Sequence, residues 1–290
     1  MELFRALAVL AEPPRAETTR LADLLELGRA PTPHEYTELF LFQLYPYASV
    51  YLGPEGMLGG EARDRVAGFW RALGEVPPTE PDHLAVLLAL YARLADAERG
   101  EPDPTRRSAC RRARAALLWE HLLSWLPVYL SKLIEIAPPP YASWGRLLDG
   151  TLAAEAKSIP PPARLPLQLR EAPALSNPRI DDLDTYLSEL LAPVRSGVIV
   201  TRADLARAAR ALALGLRTGE RRFVLQSLVN QDARGMIDWL GREVTAWGER
   251  HAAWEDYLGG ISRFWAQRAQ HTADTLQTLC REESGSRAVG

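Results

Sequence analysis

Apolar residues recur at three-to-four spacing along nearly the whole chain, a period that suits helices and not strands. Leu3, Leu7 and Leu10 open the pattern, and Leu21, Leu24, Leu25 and Gly28 repeat it. From Pro33 the run HEYTELFLFQLYPY puts Tyr36, Leu39, Phe40 and Leu44 on one face and stops near Pro46. Further amphipathic stretches cover Glu61 to Leu73, Asp82 to Glu98, Arg106 to Ile136 and Tyr141 to Ser158. Alternation at period two is confined to GVIV, Gly197 to Val200, and one short extended piece does not make a sheet. The expected class is all-α.

Prolines at 160, 161, 162, 166, 173 and 178 divide this pattern. Each ring removes a backbone donor and blocks the preceding turn, so extended backbone is expected there, with alternating Leu165, Leu167 and Leu169 able to lie on a helical surface. The chain is read as a bundle-like helical domain over 1–158, a Pro-rich linker over 159–178, a C-terminal helical region over 179–282 and a frayed tail over 283–290. In the C-terminal region Thr201 and Asp204 form a capping box. The helix they open is expected to run through Leu216 to a break at Thr218 and Gly219. Phe223 to Asn230, Met236 to Trp247 and Trp254 to Leu279 follow, with Trp239, Trp247, Trp254 and Trp265 as packing anchors.

Composition narrows the function. The formal net charge is -3, whereas a nucleic-acid domain normally carries a basic excess, so nucleic acid is disfavoured as a partner. Cys110 and Cys280 lack a CxxC spacing and fit free thiols in a reducing compartment. The N-terminus carries Glu2 and Glu12 where a secretory signal needs basic residues, and the most apolar window, Leu84 to Leu94, is broken by Arg93. A cytoplasmic protein without membrane insertion is expected. The histidines at 34, 83, 121, 251 and 271 are scattered, and no HExxH, P-loop, GxGxxG after a strand or GxSxG elbow occurs. The sequence therefore gives no catalytic residue, metal ligand set or cofactor site, and it argues against an enzyme.

Polar and aromatic clusters remain. Thr79, Glu80, Pro81, Asp82 and His83 open a helix, and capping by Thr79 accounts for all of them except His83. His121 and Trp125 share a helix face after the basic run at Arg106, Arg107, Arg111, Arg112 and Arg114. That run reads either as a solvated face or as a patch for an acidic partner. Tyr45, Pro46, Tyr47 and Tyr51 form an aromatic corner that either packs inward or lines a peptide groove.

In this order the segments are Tyr36-x-x-Leu39-Phe40, then Tyr45-Pro-Tyr-Ala-Ser-Val-Tyr51-Leu52, then Glu80-Pro81-Asp82-His83, then His121-Leu-Leu-Ser-Trp125-Leu-Pro127. Together they resemble the TorD/DmsD/NarJ family of redox-enzyme maturation chaperones over about residues 1 to 160. The EPDH form here is one residue shorter than the family's spaced version, and the C-terminal extension is longer than in its best-known members. The resemblance implies a non-enzymatic, all-helical chaperone in the cytoplasm. Its partner would be the molybdopterin-containing catalytic subunit of an oxidoreductase, gripped through a twin-arginine signal peptide or another segment until cofactor insertion is complete. It implies client contacts at Tyr45, Pro46, Tyr47, Tyr51, Glu80, Asp82, His83, His121 and Trp125. A homodimer stays open. The alternative is a helical DNA-binding or regulatory protein using Arg202, Arg207, Arg210, Arg217, Arg221 and Arg222, although the spacing of Leu205, Ala208, Ala209, Leu212 and Leu216 is that of plain packing.

Overall fold

Helix α6 (Leu84–Gly100) lies at the centre of the core that the periodicity foretells. Leu84, Leu87, Leu88, Leu90, Tyr91, Leu94 and Ala95 are all buried, which leaves only a narrow stripe through Ala89 and Arg93 in solvent. A helix apolar on most of its circumference must be covered on several sides. The cover comes from α1 (Glu2–Leu10), whose Phe4 ring meets Tyr91 at 4.7 Å, and from α7 (Pro104–Ala116).

The computed structural model describes residues 1–178 and 182–286, and among them every regular element is helical, as expected. The chain forms two compact units, residues 1–53 with 57–170, and residues 54–56 with 171–290.

The first unit also contains α2 (Ala16–Leu24), α3 (Pro33–Tyr36), α4 (Ala48–Leu52), α5 (Gly60–Ala72), α8 (Leu126–Ile136), α9 (Pro139–Ser158) and most of α10 (Leu167–Glu171). Two π turns continue earlier helices: Thr37–Gln43 extends α3, and Leu117–Leu122 extends α7. The helix expected unbroken from Arg106 to Ile136 is therefore divided, with a turn at 123–125 before Pro127 sits in the first turn of α8. A part-buried network ties three helices together. Arg114 donates from Nε to Glu98 at 2.7 Å and from a terminal nitrogen to Glu155 at 2.9 Å, and the Tyr91 hydroxyl donates to the same Glu155. Trp144 Nε1 donates to the Leu7 carbonyl at 3.1 Å, fixing α9 to α1.

The proline-rich stretch is extended only in part. Between Pro166 and Pro173 no ring interrupts the chain, and α10 forms there. Leu169 is buried, Leu167 N donates to Glu120 at 2.9 Å, and Trp119 Nε1 donates to the Ile159 carbonyl at 3.2 Å, so this strap lies on the second π turn.

In the second unit α11 (Leu183–Leu190), α12 (Pro193–Ser196), α13 (Arg202–Ala211), α14 (Arg221–Gln231), α15 (Ala233–Ala252), α16 (Glu255–Leu258) and α17 (Gly260–Ser286) surround a long α15–α17 pairing. Within GVIV, Val198, Ile199 and Val200 join neither helix nor ladder and are buried. Gly197 has φ +77°, and a Cβ there would lie 2.3 Å from the Ala269 nitrogen, so only glycine fits. His251 Nε2 meets the Gly197 carbonyl at 2.7 Å among Trp247, Trp254 and Trp265.

The Thr201–Asp204 capping box forms as read, each side chain accepting from the other's backbone N–H. Its helix ends five residues early, however, at Ala211. Leu214 N returns to the Ala209 carbonyl and Ala213 N to that of Arg210, a Schellman closure with Ala213 in the left-handed region at φ +54°. The expected tail is helical as far as Ser286, and residues 287–290 lie outside the described residues.

Candidate functional site

The tyrosine corner and the EPDH turn, read separately along the chain, meet through the backbone. Tyr47 and His83 form an antiparallel bridge, Leu84 N donates to the Pro46 carbonyl at 2.8 Å, and Ala48 N donates to that of Asp82 at 3.1 Å. Bridging needs extended backbone at His83, which has φ -66° and ψ 137°, so α6 cannot begin before Leu84. His83 is thus the N-cap. Its Nδ1 accepts from Ala85 N at 3.2 Å, which requires a neutral ring with the proton on Nε2. Thr79, expected to cap α6, is exposed, and its carbonyl accepts from Arg63 at 3.0 Å.

Asp82 serves a different helix. Its carboxylate, buried to 2% exposure, accepts from Ser49 N at 3.0 Å and so caps the second residue of α4 from across the corner. The Ser49 hydroxyl in turn accepts from Gly59 N at 3.1 Å. Behind this seam Tyr51 stacks on Trp125 at 5.2 Å and 12°, with Tyr129 set edge-on to both. Tyr51 donates to the Tyr45 carbonyl at 2.9 Å and Trp125 Nε1 to that of His121 at 2.9 Å. Tyr51 and Trp125 thus satisfy their polar atoms internally, and the apolar area of all three rings gains from burial. His121 lies beside Phe69 at 4.8 Å, and burial holds its pKa down at about 4.

The expected site therefore has depth. Of the residues expected to meet a client, Pro46, Tyr51, Asp82, His83, His121 and Trp125 are buried. Tyr45 and Tyr47 are half-buried and Glu80 is exposed. The Tyr47 ring stands edge-on to His83 at 4.8 Å. Burial, then the hydrogen bond it donates to Glu80, pushes its phenol far up.

Glu12, just past the end of α1, joins this lip. Its carboxylate lies 3.9 Å from His83 Nδ1 and is partly open to solvent. Burial lowers the His83 pKa, and the charges of Glu12, Glu80 and Asp82 oppose that shift. The same two glutamates act on Tyr36, whose phenol is pushed up to about 12, mainly by burial. Glu12 is the member that sequence reasoning missed, because only the packing of α1 on α6 brings it here. Val9, one turn earlier on α1, and Leu41 and Phe42 on the first π turn are exposed apolar side chains of the same unit.

The arginines of the alternative reading are partly committed elsewhere. Arg207 pairs with Asp204 and Glu243, both at 2.9 Å, Arg222 pairs with Asp184, and Arg221 donates to the Val200 carbonyl at 2.9 Å.

Residues 8–130 match the nitrate reductase delta subunit family, a span that holds the seam and the glutamate lip. Over those residues, the chain resembles that family. The delta subunit family is the NarJ/TorD group of redox-enzyme maturation chaperones. A related protein, chaperone protein TorD of Vibrio cholerae serotype O1 (strain M66-2), is 33% identical over 91 residues, covering 30% of this chain and 41% of that protein. The likeness thus spans less than half of that relative's length, and residues 171–290 of the second unit lie outside the family match. None of the described helices is long and apolar enough to cross a membrane.

Proposed function

We propose that this protein is a non-catalytic cytoplasmic chaperone. Its client would be a segment of a molybdopterin-containing oxidoreductase catalytic subunit, either the twin-arginine signal peptide or another basic-then-apolar stretch. Holding that segment would leave time for cofactor insertion and delay export.

One observation carries the reading: Glu12 and Glu80 converge at the mouth of the tyrosine-rich seam, over Tyr47 and the neutral ring of His83. Carboxylates accept a guanidinium through two parallel N–H bonds, and a phenol ring stacks on its plane. The buried Asp82, Tyr51 and Trp125 hold the lip in place and need not touch the client. Tyr45, Leu41 and Phe42 offer apolar area in the same unit for the hydrophobic part of such a segment.

The test is calorimetric titration of the full chain with a synthetic peptide of two arginines followed by apolar residues. Glu12→Gln and Glu80→Gln should each weaken binding several-fold and together by about tenfold or more, as expected for charge-assisted pairs. Replacing both peptide arginines with glutamine should have the same effect, with circular dichroism unchanged. Equal affinity across all these pairs would defeat the proposal.

A further inference from the structure

We infer that the outward face of α7 is a docking surface for an acidic polypeptide segment of a partner protein. The helix is 13 residues long and packs one side on α6, yet contains no fully buried residue. It is fixed at its ends. Asp103 caps it, accepting from Thr105 N at 2.7 Å and Arg106 N at 3.2 Å, and Arg114 anchors the other end to Glu98 and Glu155.

Between these anchors the charges are placed where stability alone would not put them. Arg106 and Arg107 lie in the first turn, where the helix end already carries partial positive charge. Arg107 and Arg111 are neighbours at i and i+4, a spacing at which like charges repel. All four of Arg106, Arg107, Arg111 and Arg112 are exposed. Arg111 reaches Glu98 only at 4.0 Å. Arg107 donates to the Pro102 carbonyl at 3.0 Å and Arg112 to the Ser108 hydroxyl at 2.9 Å. Among the described residues, no carboxylate comes within 4.0 Å of Arg106, Arg107 or Arg112. A helix that breaks local electrostatic rules without internal compensation marks a surface shaped by something outside the chain.

The chemistry of the occupant follows from the donors. Guanidinium forks match discrete carboxylates, and Arg114 within this unit already bridges two of them, Glu98 and Glu155. The two adjacent arginine pairs are five residues apart, about 7.5 Å along the axis. Rotation by about 140° over those five residues spreads the pairs around the exposed side, which suits a flexible acidic segment that can wrap across them. With the whole chain at net charge -3, a long polyanion such as duplex DNA or an anionic bilayer meets overall repulsion that a short acidic segment largely escapes.

The probe is a fluorescent peptide alternating glutamate with serine, titrated by anisotropy against the full chain at low salt. The combined variant Arg106→Gln, Arg107→Gln, Arg111→Gln and Arg112→Gln should weaken binding about tenfold or more, with helix content unchanged. A control that replaces exposed Arg20, Arg146, Arg210 and Arg234 with glutamine should bind like the wild type. So should Glu80→Gln, because this surface does not depend on the glutamate lip. Absence of binding, an equal loss in the control, or tighter arginine-dependent binding of duplex DNA or phosphatidylglycerol vesicles would overturn the inference.

Discussion

Asp82→Ala removes a carboxylate that is 2% exposed and takes with it the acceptor for Ser49 N, whose residue is fully buried. A hydrogen bond to a charged group contributes about 1.5–3 kcal/mol, and the orphaned N–H keeps its desolvation penalty. The expected loss is therefore roughly 3 kcal/mol. Asp82→Asn keeps an acceptor of similar shape and should cost about 1 kcal/mol, since neutral bonds are about half as strong. Urea unfolding of the full chain, followed by far-UV circular dichroism, measures both. Client-peptide affinity of the asparagine variant should stay near that of the wild type, because the carboxylate points into the seam and not at the lip. Suppose instead that the alanine variant lost under about 0.5 kcal/mol while peptide affinity fell tenfold. Asp82 would then be a client contact, and the argument from burial would be wrong.

Two other predictions concern stability. Burial depresses His121 and His251 to about 4, against about 6.5 in the unfolded chain. Because the folded values are lowered, the unfolded state binds more protons, and stability that is intact above pH 6.5 is lost as pH falls towards 4. Each ring should cost roughly 2 kcal/mol between pH 7 and pH 5. His251→Gln, which keeps a donor for the Gly197 carbonyl, should flatten that loss by about the same amount; an unaltered pH profile would contradict it. Ala213→Gly relieves a left-handed alanine at φ +54° and should stabilise the chain by about 1 kcal/mol, read as a higher urea midpoint. A lower midpoint would show that the closure is not strained.

What could be read from the chain was local. Apolar spacing located the helices, and the Thr201–Asp204 box was legible because both partners lie three residues apart. The end of α13 was hidden, because its closure uses alanine where glycine would have announced it. The π turns were hidden too, since one extra residue barely disturbs a three-to-four pattern. At the site, residue order brought out the right segments but assigned the wrong cap. Thr79 suits the helix start locally, yet the bridge to Tyr47 decides that His83 takes it. The roles of Asp82 and Glu12 depend on partners from other helices, and no spacing rule reaches that far.

The second π turn sets a phase. An α-helix advances by about 100° per residue, so a single surplus residue swings everything before it around the axis relative to everything after it. The bearing of the α7 guanidiniums and that of the α8 core rings are therefore two separate frames, joined through Leu117–Leu122 and the turn at 123–125. A relative without the surplus would aim one set differently while keeping the other.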